Sequence, residues 1–146
     1  MQIKIIGAGL AGCEAALWLA DHGVQVDLYE QKPVKFSPAH KSAGFAELIC
    51  SNSLKAERPD SASGLLKIEM RMMGSHLLDA AETARVAAGG ALAVDRDVFS
   101  TAVTEMVEKN SGITVHREEV TALDESLPVL VACGDADPVG SYGAGA

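Results

Sequence analysis

The first thirty residues contain the feature that most constrains what this chain can fold into. A short apolar run at residues 3–6 leads into a glycine-rich turn, and good helix formers follow at residues 14–20. Gly23 can stop that helix, and residues 24–29 have the apolar content of a second strand that ends on Glu30. The turn reads Gly7-Ala8-Gly9-Leu10-Ala11-Gly12. A strand, a G-x-G-x-x-G turn, a helix, a strand and an acid in this order are typical of a dinucleotide-binding βαβ unit.

Each glycine of the turn has a role that a larger residue could not fill. Gly7 permits the tight turn out of the strand, Gly9 lets the backbone approach a pyrophosphate, and Gly12 lets the helix pack close to the sheet. The pyrophosphate would lie at the helix N-terminus, where unpaired N–H groups favour anions. Glu30 would accept hydrogen bonds from the ribose hydroxyls. We expect the cofactor to contact the whole turn, Gly7, Ala8, Gly9, Leu10, Ala11 and Gly12. This unit alone leaves the choice between FAD and NAD open.

Length, charge and cysteine content narrow the class of protein. A chain of 146 residues is long enough for one domain with a core. Its net charge of −8 argues against a broad nucleic-acid-binding surface on this part of the protein. The three cysteines, Cys13, Cys50 and Cys133, are too widely spaced for a zinc site and fit a reducing cytosol. No signal peptide or membrane-spanning run is visible, so we expect a cytoplasmic protein with no metal and no membrane contact.

The rest of the chain predicts an α/β domain with a parallel sheet. Residues 31–44 form a long connection without periodicity, and residues 45–50 are apolar and suggest a helical turn. Helical spacing continues from 62 to 84, with Gly74 as a possible break, and from Asp95, a helix N-cap, to Asn110. Strand-like stretches cover 113–116, 119–123 and 129–134, and the last would lie beside the first strand. Residues 1–134 then form one Rossmann-like domain, and 135–146 form a disordered tail.

Cys50 is the one candidate for chemistry outside the glycine-rich turn. A lone cysteine is more often a small buried hydrophobe than a nucleophile. Here it stands beside three polar residues, Ser51, Asn52 and Ser53, rather than inside an apolar stripe. The residues alone leave both interpretations open.

Several segments together resemble one family. They are residues 6–12, 26–30, 33–35 and 38–40, then Phe-Ala-Glu-Leu-Ile-Cys-Ser-Asn-Ser at 45–53 and Gly-Gly-Ala-Leu-Ala-Val-Asp-Arg at 89–96. In this order they are similar to the N-terminal part of the folate- and FAD-dependent tRNA (uracil-5-)-methyltransferases. The resemblance covers roughly residues 2–134. The last two segments are far more specific than the glycine motif.

The resemblance implies a function for the whole enzyme. Such enzymes use FAD to transfer a one-carbon unit from methylenetetrahydrofolate to C5 of a uridine in the tRNA T-loop, with NADH or NADPH as reductant. It also implies that Gly7 to Gly12 hold the pyrophosphate, that Glu30 holds the ribose, and that Val120 and Gly134 contact the cofactor through their backbone. Cys50 matches a family cysteine that acts near the flavin.

The chain also departs from that family. Family members are much longer, so the domain would be incomplete, would not methylate tRNA by itself, and would lack most of the folate and tRNA surface. Cys13 stands where serine is common, and Lys32 where arginine is expected.

Two other functions fit parts of the sequence. An NAD-dependent Rossmann oxidoreductase would also use Glu30, but it does not need the long connection from Gln31 to Asn52. A non-catalytic nucleotide-binding module would not need Cys50. A titration with FAD and NADH separates the first of these from a flavoprotein.

Overall fold

A parallel sheet of four strands forms one layer of the structure. The computed structural model describes residues 1–124 and 126–133. The strands are β1 (Gln2–Ile6), β2 (Gln25–Tyr29), β3 (Ser53–Ala56), β4 (Arg85–Val86), β5 (Ala91–Val94), β6 (Ile113–His116) and β7 (Val129–Val131). The helices are α1 (Leu10–Asp21), α2 (Ala62–Met72), α3 (His76–Thr83) and α4 (Arg96–Lys109). The order in the parallel sheet is β6-β2-β1-β7, which confirms the α/β class and places the last strand beside the first.

The apolar side of this sheet packs against helices because side chains alternate along each strand. Ile5 on β1 and Leu28 on β2 are opposite each other in register and have no exposed surface. They join a single cluster of buried residues that includes Leu17 of α1 and Phe99 and Val103 of α4. The first βαβ unit and α4 therefore share one core.

Three predicted helix signals are confirmed. Gly23 follows the end of α1 with a φ of +76°, a conformation that favours glycine. Gly74, with a φ of +78°, divides the predicted 62–84 helix into α2 and α3. Asp95 caps α4, and its Oδ1 accepts hydrogen bonds from the N–H groups of Asp97 and Val98, each at 3.0 Å.

Two local predictions are wrong. Residues 45–50 form no helical turn, because the N–H of Ala46 donates to the carbonyl of Ala8 at 2.9 Å and not to a neighbour in the chain. Residues 119–123 form no strand, although their alternation suggested one, since no strand of the described sheets pairs with them. Ala46 has a long-range partner, and residues 119–123 have no partner strand in the described sheets, so the local pattern decides neither segment.

A second, antiparallel sheet was not predicted. It has the order β3-β5-β4, and Ser53 is paired with Ala93. Its strands are two to four residues long; β4 and β5 are consecutive in the chain and pair antiparallel, and β3 joins them from a distant segment. Strands this short carry too little periodicity to be recognised before the chain has folded.

Within the described residues, no helix is both long enough and apolar enough to span a bilayer.

Candidate functional site

The glycine-rich turn lies at the carboxyl end of β1. The strands that follow in the chain are added first on one side of β1 and then on the other, so β1 is a topological switch point. The chain passes from β1 to β2 and β6 on one side, and β7 pairs with β1 on the other. In open α/β sheets the crevice at such a switch point is the usual ligand site. The fold therefore places Gly7 to Gly12 where a nucleotide would bind.

Gly7 and Gly12 are required by packing inside the chain. A Cβ on Gly12 would lie 1.8 Å from the carbonyl oxygen of Gly7, which no side chain can tolerate. A Cβ on Gly7, whose φ is +101°, would lie 3.0 Å from the backbone of Ala132 just past β7. Both glycines bring the helix, the turn and β7 into close contact.

Gly9 is different, since no packing contact within residues 1–124 and 126–133 requires a glycine there. A Cβ at this position would meet no atom within 4 Å, and its φ of −75° is available to any residue. The side of the turn at Gly9 is open space next to the first turn of α1. An approaching ligand backbone or phosphate is the physical reason for a glycine here.

The N-terminus of α1 is free to receive an anion. No side chain in the part of the chain that the structure describes caps it, and its first turn contains no acidic residue. The first hydrogen bond from the helix runs from the N–H of Cys13 to the carbonyl of Gly9 at 3.0 Å, so the N–H groups of Leu10, Ala11 and Gly12 precede the helical ladder. These donors and the helix dipole suit a pyrophosphate.

The carbonyl of Ala8 connects the turn to α1 and to the segment that contains Ala46. It accepts hydrogen bonds from the thiol of Cys13 at 3.3 Å and from the N–H of Ala46 at 2.9 Å. Burial, aided by the nearby Glu30 carboxylate, raises the pKa of the Cys13 thiol to about 12. Cys13 thus stays a neutral donor, as a serine would be.

Glu30 joins the end of β2 to the turn. Its Oε2 accepts from the N–H of Ala8 and its Oε1 from the N–H of Lys32, both at 3.0 Å. The residue is only 7% exposed. Each carboxylate oxygen has a second lone pair, so the predicted ribose contact remains compatible with these bonds. Together with the open side of Gly9, this donor and acceptor set fits an adenosine dinucleotide.

The long connection after Glu30 is held in place by buried charges. The Lys32 ammonium, which is almost fully buried, contacts the carboxylate of Glu47 at 3.3 Å. Burial would raise the pKa of Glu47, but the N–H groups of Lys41 and Ser42 and the Lys32 ammonium outweigh it and lower that pKa. A basic residue at position 32 therefore orders the connection.

Arg117, the residue directly after β6, also holds this connection in place. Its guanidinium carbon lies 4.0 Å from the ring centre of Phe45, which is fully buried. It also donates to the carbonyls of Lys32 and Ala43 at 3.2 and 2.8 Å. Nothing in the sequence around Arg117 indicates this role, because the two carbonyls that it binds in the connection lie more than seventy positions away.

Cys50 is exposed, and its segment is attached at both ends. Before it, the N–H of Ala46 is bound to Ala8. After it, the carbonyl of Asn52 accepts from the N–H of Val94 at 2.9 Å. Four residues reach at most about 14 Å, which bounds the separation of Cys50 from this attachment to the glycine-rich turn. The exposed thiol rules out a buried packing role for Cys50.

Arg96 adds a further contact to this segment. Its Nη1 lies 3.4 and 3.5 Å from the carbonyl oxygens of Leu48 and Ile49, directly before Cys50. The two most distinctive sequence segments, 45–53 and 89–96, are therefore neighbours in space. Sequence reasoning singled out both segments but could not show that they meet.

Of the two further predicted cofactor contacts, Val120 and Gly134, the structure describes only Val120. Val120 lies in a loop beside a cavity of about 270 Å³ that is also lined by Ile6 and Tyr29, the residues directly before Gly7 and Glu30. It is therefore at the same edge of the sheet as the turn. Gly134 and the predicted tail at 135–146 lie outside the described residues.

Comparison with known proteins identifies relatives of this chain by sequence. The chain is 53% identical over 133 residues to the methylenetetrahydrofolate–tRNA-(uracil-5-)-methyltransferase TrmFO of Desulforamulus reducens, covering 91% of this chain. It is 54% identical to the protein of that name from Exiguobacterium sibiricum and 52% identical to that from Listeria monocytogenes, each over 133 residues. The chain spans only 30% of the length of each of these relatives.

A solved structure shares the fold. GidA from Aquifex aeolicus matches with a TM-score of 0.66 at 16% identity, covering 85% of this chain and 21% of that chain. At that identity the match concerns the fold alone. The family model described as "Glucose inhibited division protein A" matches residues 2–135, which is nearly the whole chain. The chain therefore belongs to the glucose inhibited division protein A family.

Proposed function

We propose that this chain is the N-terminal, FAD-binding part of a methylenetetrahydrofolate- and FAD-dependent tRNA (uracil-5-)-methyltransferase. The observation that carries the proposal is the identity of 51–54% to relatives with that enzyme name, over 132–134 residues. The region that matches the family model, residues 2–135, contains both the glycine-rich turn and the Cys50 segment. The full enzyme would form 5-methyluridine in the tRNA T-loop, in the cytoplasm where its tRNA substrate is found.

The residues of the turn fit the dinucleotide part of FAD. The N–H groups of Leu10, Ala11 and Gly12 would bind the pyrophosphate, and Gly9 would leave room for it. Glu30 would accept hydrogen bonds from the ribose with the lone pairs that Ala8 and Lys32 leave free. Val120 and Gly134 would contact the cofactor through their backbone. When bound, FAD would carry electrons and the one-carbon unit. The one-carbon unit would come from methylenetetrahydrofolate, and NADH or NADPH would be the reductant.

Cys50 is the residue of this chain that we assign to catalysis. Its thiol is exposed on a segment attached to the turn by Ala46 and to β5 by Asn52. A thiol in this place can add to C6 of uracil, which makes C5 nucleophilic, or can exchange a proton near the flavin. Folate, the reductant and tRNA would be bound mostly by parts of the enzyme outside this chain, and residues 1–134 would form the FAD domain.

A cofactor titration tests the proposal. The purified chain is titrated with FAD and separately with NADH, while flavin fluorescence and the fluorescence of Trp18 are followed. Saturable binding of FAD with no effect of NADH is the expected result. Binding of NADH without FAD would contradict it and favour an NAD-dependent oxidoreductase.

A chimera extends the test to the complete enzyme. Residues 1–133 of this chain replace the matching residues of the Listeria monocytogenes relative, and the native relative is the control. We expect the chimera to bind FAD and to methylate a tRNA transcript when methylenetetrahydrofolate and NADH are supplied. A folded chimera that cannot be loaded with FAD would overturn the cofactor assignment, and a loaded one without methylation would overturn the reaction.

A further inference from the structure

The junction between β5 and α4 contacts the Cys50 segment on both sides of the cysteine. Before Cys50, Nη1 of Arg96 lies 3.4 and 3.5 Å from the carbonyl oxygens of residues 48 and 49. After it, the carbonyl of Asn52 accepts a hydrogen bond from the N–H of Val94 at 2.9 Å. Val94 is the last residue of β5, and Arg96 is the first residue of α4. The junction therefore holds the backbone directly before the cysteine and again two residues after it.

The backbone of this junction is fixed, whereas residues 45–52 lie outside the helices and strands. The N-cap Asp95 accepts from the N–H groups of Asp97 and Val98, each at 3.0 Å. Phe99, in the same turn of α4, has no exposed surface and belongs to the buried cluster. A helix that is packed in this way positions a side chain more accurately than a loop does. The Cys50 segment thus depends on the start of α4 for a fixed place.

Arg96 also brings a positive charge close to the cysteine. Within residues 1–124 and 126–133 it donates to the two carbonyls and forms no ion pair, although Asp95 and Asp97 adjoin it in the chain. The Cα of Cys50 is three bonds from the Ile49 carbonyl oxygen, so it lies within about 8 Å of Nη1. At an ionic strength of about 0.01 M, charges are screened only over about 30 Å. The exposed thiol therefore lies within the field of this guanidinium at low salt.

We propose that Arg96 is a positioning residue for Cys50, which fixes the backbone directly before the thiol and keeps a positive charge beside its sulfur. The inference rests on the catalytic role that we propose for Cys50. In both reactions open to this residue, addition to uracil and proton exchange, the sulfur has lost its proton and is negatively charged at one stage. A cation that is already in place stabilises such a charge without reorganisation. This gives a role to the distinctive segment 89–96.

A charge-selective alkylation of the isolated chain tests the placement of Arg96. Iodoacetate and iodoacetamide react with the same ionised sulfur and differ in their own charge. The ratio of their rate constants at Cys50 therefore reports the charge near the sulfur and does not depend on how much of the thiol is ionised. Both rates are measured at low ionic strength by mass spectrometry of the peptide that contains Cys50, which separates it from Cys13 and Cys133.

Substitutions of Arg96 should change this ratio according to their charge. We expect Arg96→Met to lower the ratio of the iodoacetate rate to the iodoacetamide rate by about twofold or more. Arg96→Lys, which retains the charge, should leave the ratio close to its native value. Arg96→Gln should lower it like Arg96→Met, because glutamine can donate to a carbonyl but is neutral. An unchanged ratio in both neutral variants would overturn the proposal.

Lys109→Met is the matched control for the loss of one positive charge. Lys109 ends α4, about 20 Å from Arg96 along the helix, and its side chain is 74% exposed. This variant should leave the ratio nearly unchanged. A fall as large as that in Arg96→Met would show that the net charge of the chain sets the ratio, and would also overturn the proposal. Thermal melting confirms that each variant is folded before its rates are compared.

The chimera with the Listeria relative tests the effect on the reaction. We expect Arg96→Met to lower kcat for tRNA methylation at least tenfold, with the KM for tRNA changed less than twofold and the flavin content unchanged. Arg96→Lys should recover most of kcat. A change of KM alone would assign Arg96 to tRNA binding and contradict a positioning role. A chimera without methylation before any substitution would count against the proposed function, whereas the alkylation ratio decides the placement of Arg96 in either case.

Discussion

At the scale of single residues, the glycines of the turn separate packing from ligand binding. Gly9→Ala adds a methyl group that meets no atom of the described residues, so we expect a loss of stability of about 1 kcal/mol or less, as for a changed helix N-cap. FAD binding should weaken at least tenfold, because the methyl group occupies the space for the pyrophosphate.

Gly12→Ala instead forces a Cβ against the Gly7 carbonyl and should lower the free energy of unfolding by about 3 kcal/mol or more. Thermal melting and FAD titration of both variants measure the two effects, and unchanged FAD affinity in Gly9→Ala would contradict this site.

Glu30 has a structural role, and we propose that it also binds the ribose, so its substitution should affect both stability and FAD affinity. Glu30→Ala leaves the N–H groups of Ala8 and Lys32 without their acceptor, which should lower the free energy of unfolding by about 1–3 kcal/mol. The loss of the ribose contact should weaken FAD binding by a similar 1–3 kcal/mol. Denaturant unfolding and FAD titration separate the two, with Glu69→Ala on the exposed side of α2 as control. A destabilised variant with unchanged FAD affinity would show that Glu30 does not contact the ribose.

At the scale of elements, an ion-pair network links α2, α3 and β4. Arg85 and Arg71 bind the carboxylate of Glu57, with distances from 2.7 to 3.2 Å, and mainly the hydrogen bonds from Arg85 lower the pKa of Glu57 to about 2. A carboxyl group with a lowered pKa stabilises the fold above its ordinary pKa of 4.5 and loses this effect as the pH falls towards 2. Glu57→Gln should therefore cost about 1 kcal/mol at pH 7 and almost nothing at pH 2. Chemical denaturation of both proteins from pH 7 to 2 checks this, and a constant difference would refute it.

At the scale of the whole molecule, the role of Cys50 can be tested only with the rest of the enzyme present. Cys50 is exposed, so Cys50→Ala leaves no cavity, and we expect the chimera to keep its flavin and lose tRNA methylation by at least a hundredfold. Cys13→Ser is the matched control, because a hydroxyl can also donate to the Ala8 carbonyl. It should retain both flavin and activity. Methylation at the native rate by Cys50→Ala would remove Cys50 from the mechanism.

The sequence by itself determined the first βαβ unit and its glycine-rich turn. The turn from Gly7 to Gly12, the strands on either side of it and Glu30 follow one another within thirty residues, so their spacing and local propensities are sufficient to define them. The same holds for the break at Gly74 and the cap at Asp95, each of which depends on a few adjacent residues. The family was also recognisable, because its distinctive segments are contiguous.

Only the tertiary structure decided what surrounds that unit. The connection after Glu30 is positioned by Lys32 with Glu47 and by Arg117 on Phe45, and Ala46 is held by Ala8 rather than by a helical turn. In the second sheet, Ser53 of β3 likewise pairs with Ala93 of β5, which comes from a distant part of the chain. Local propensity does not predict these contacts, because a hydrogen bond or ion pair between distant residues depends on where the folded backbone places each partner.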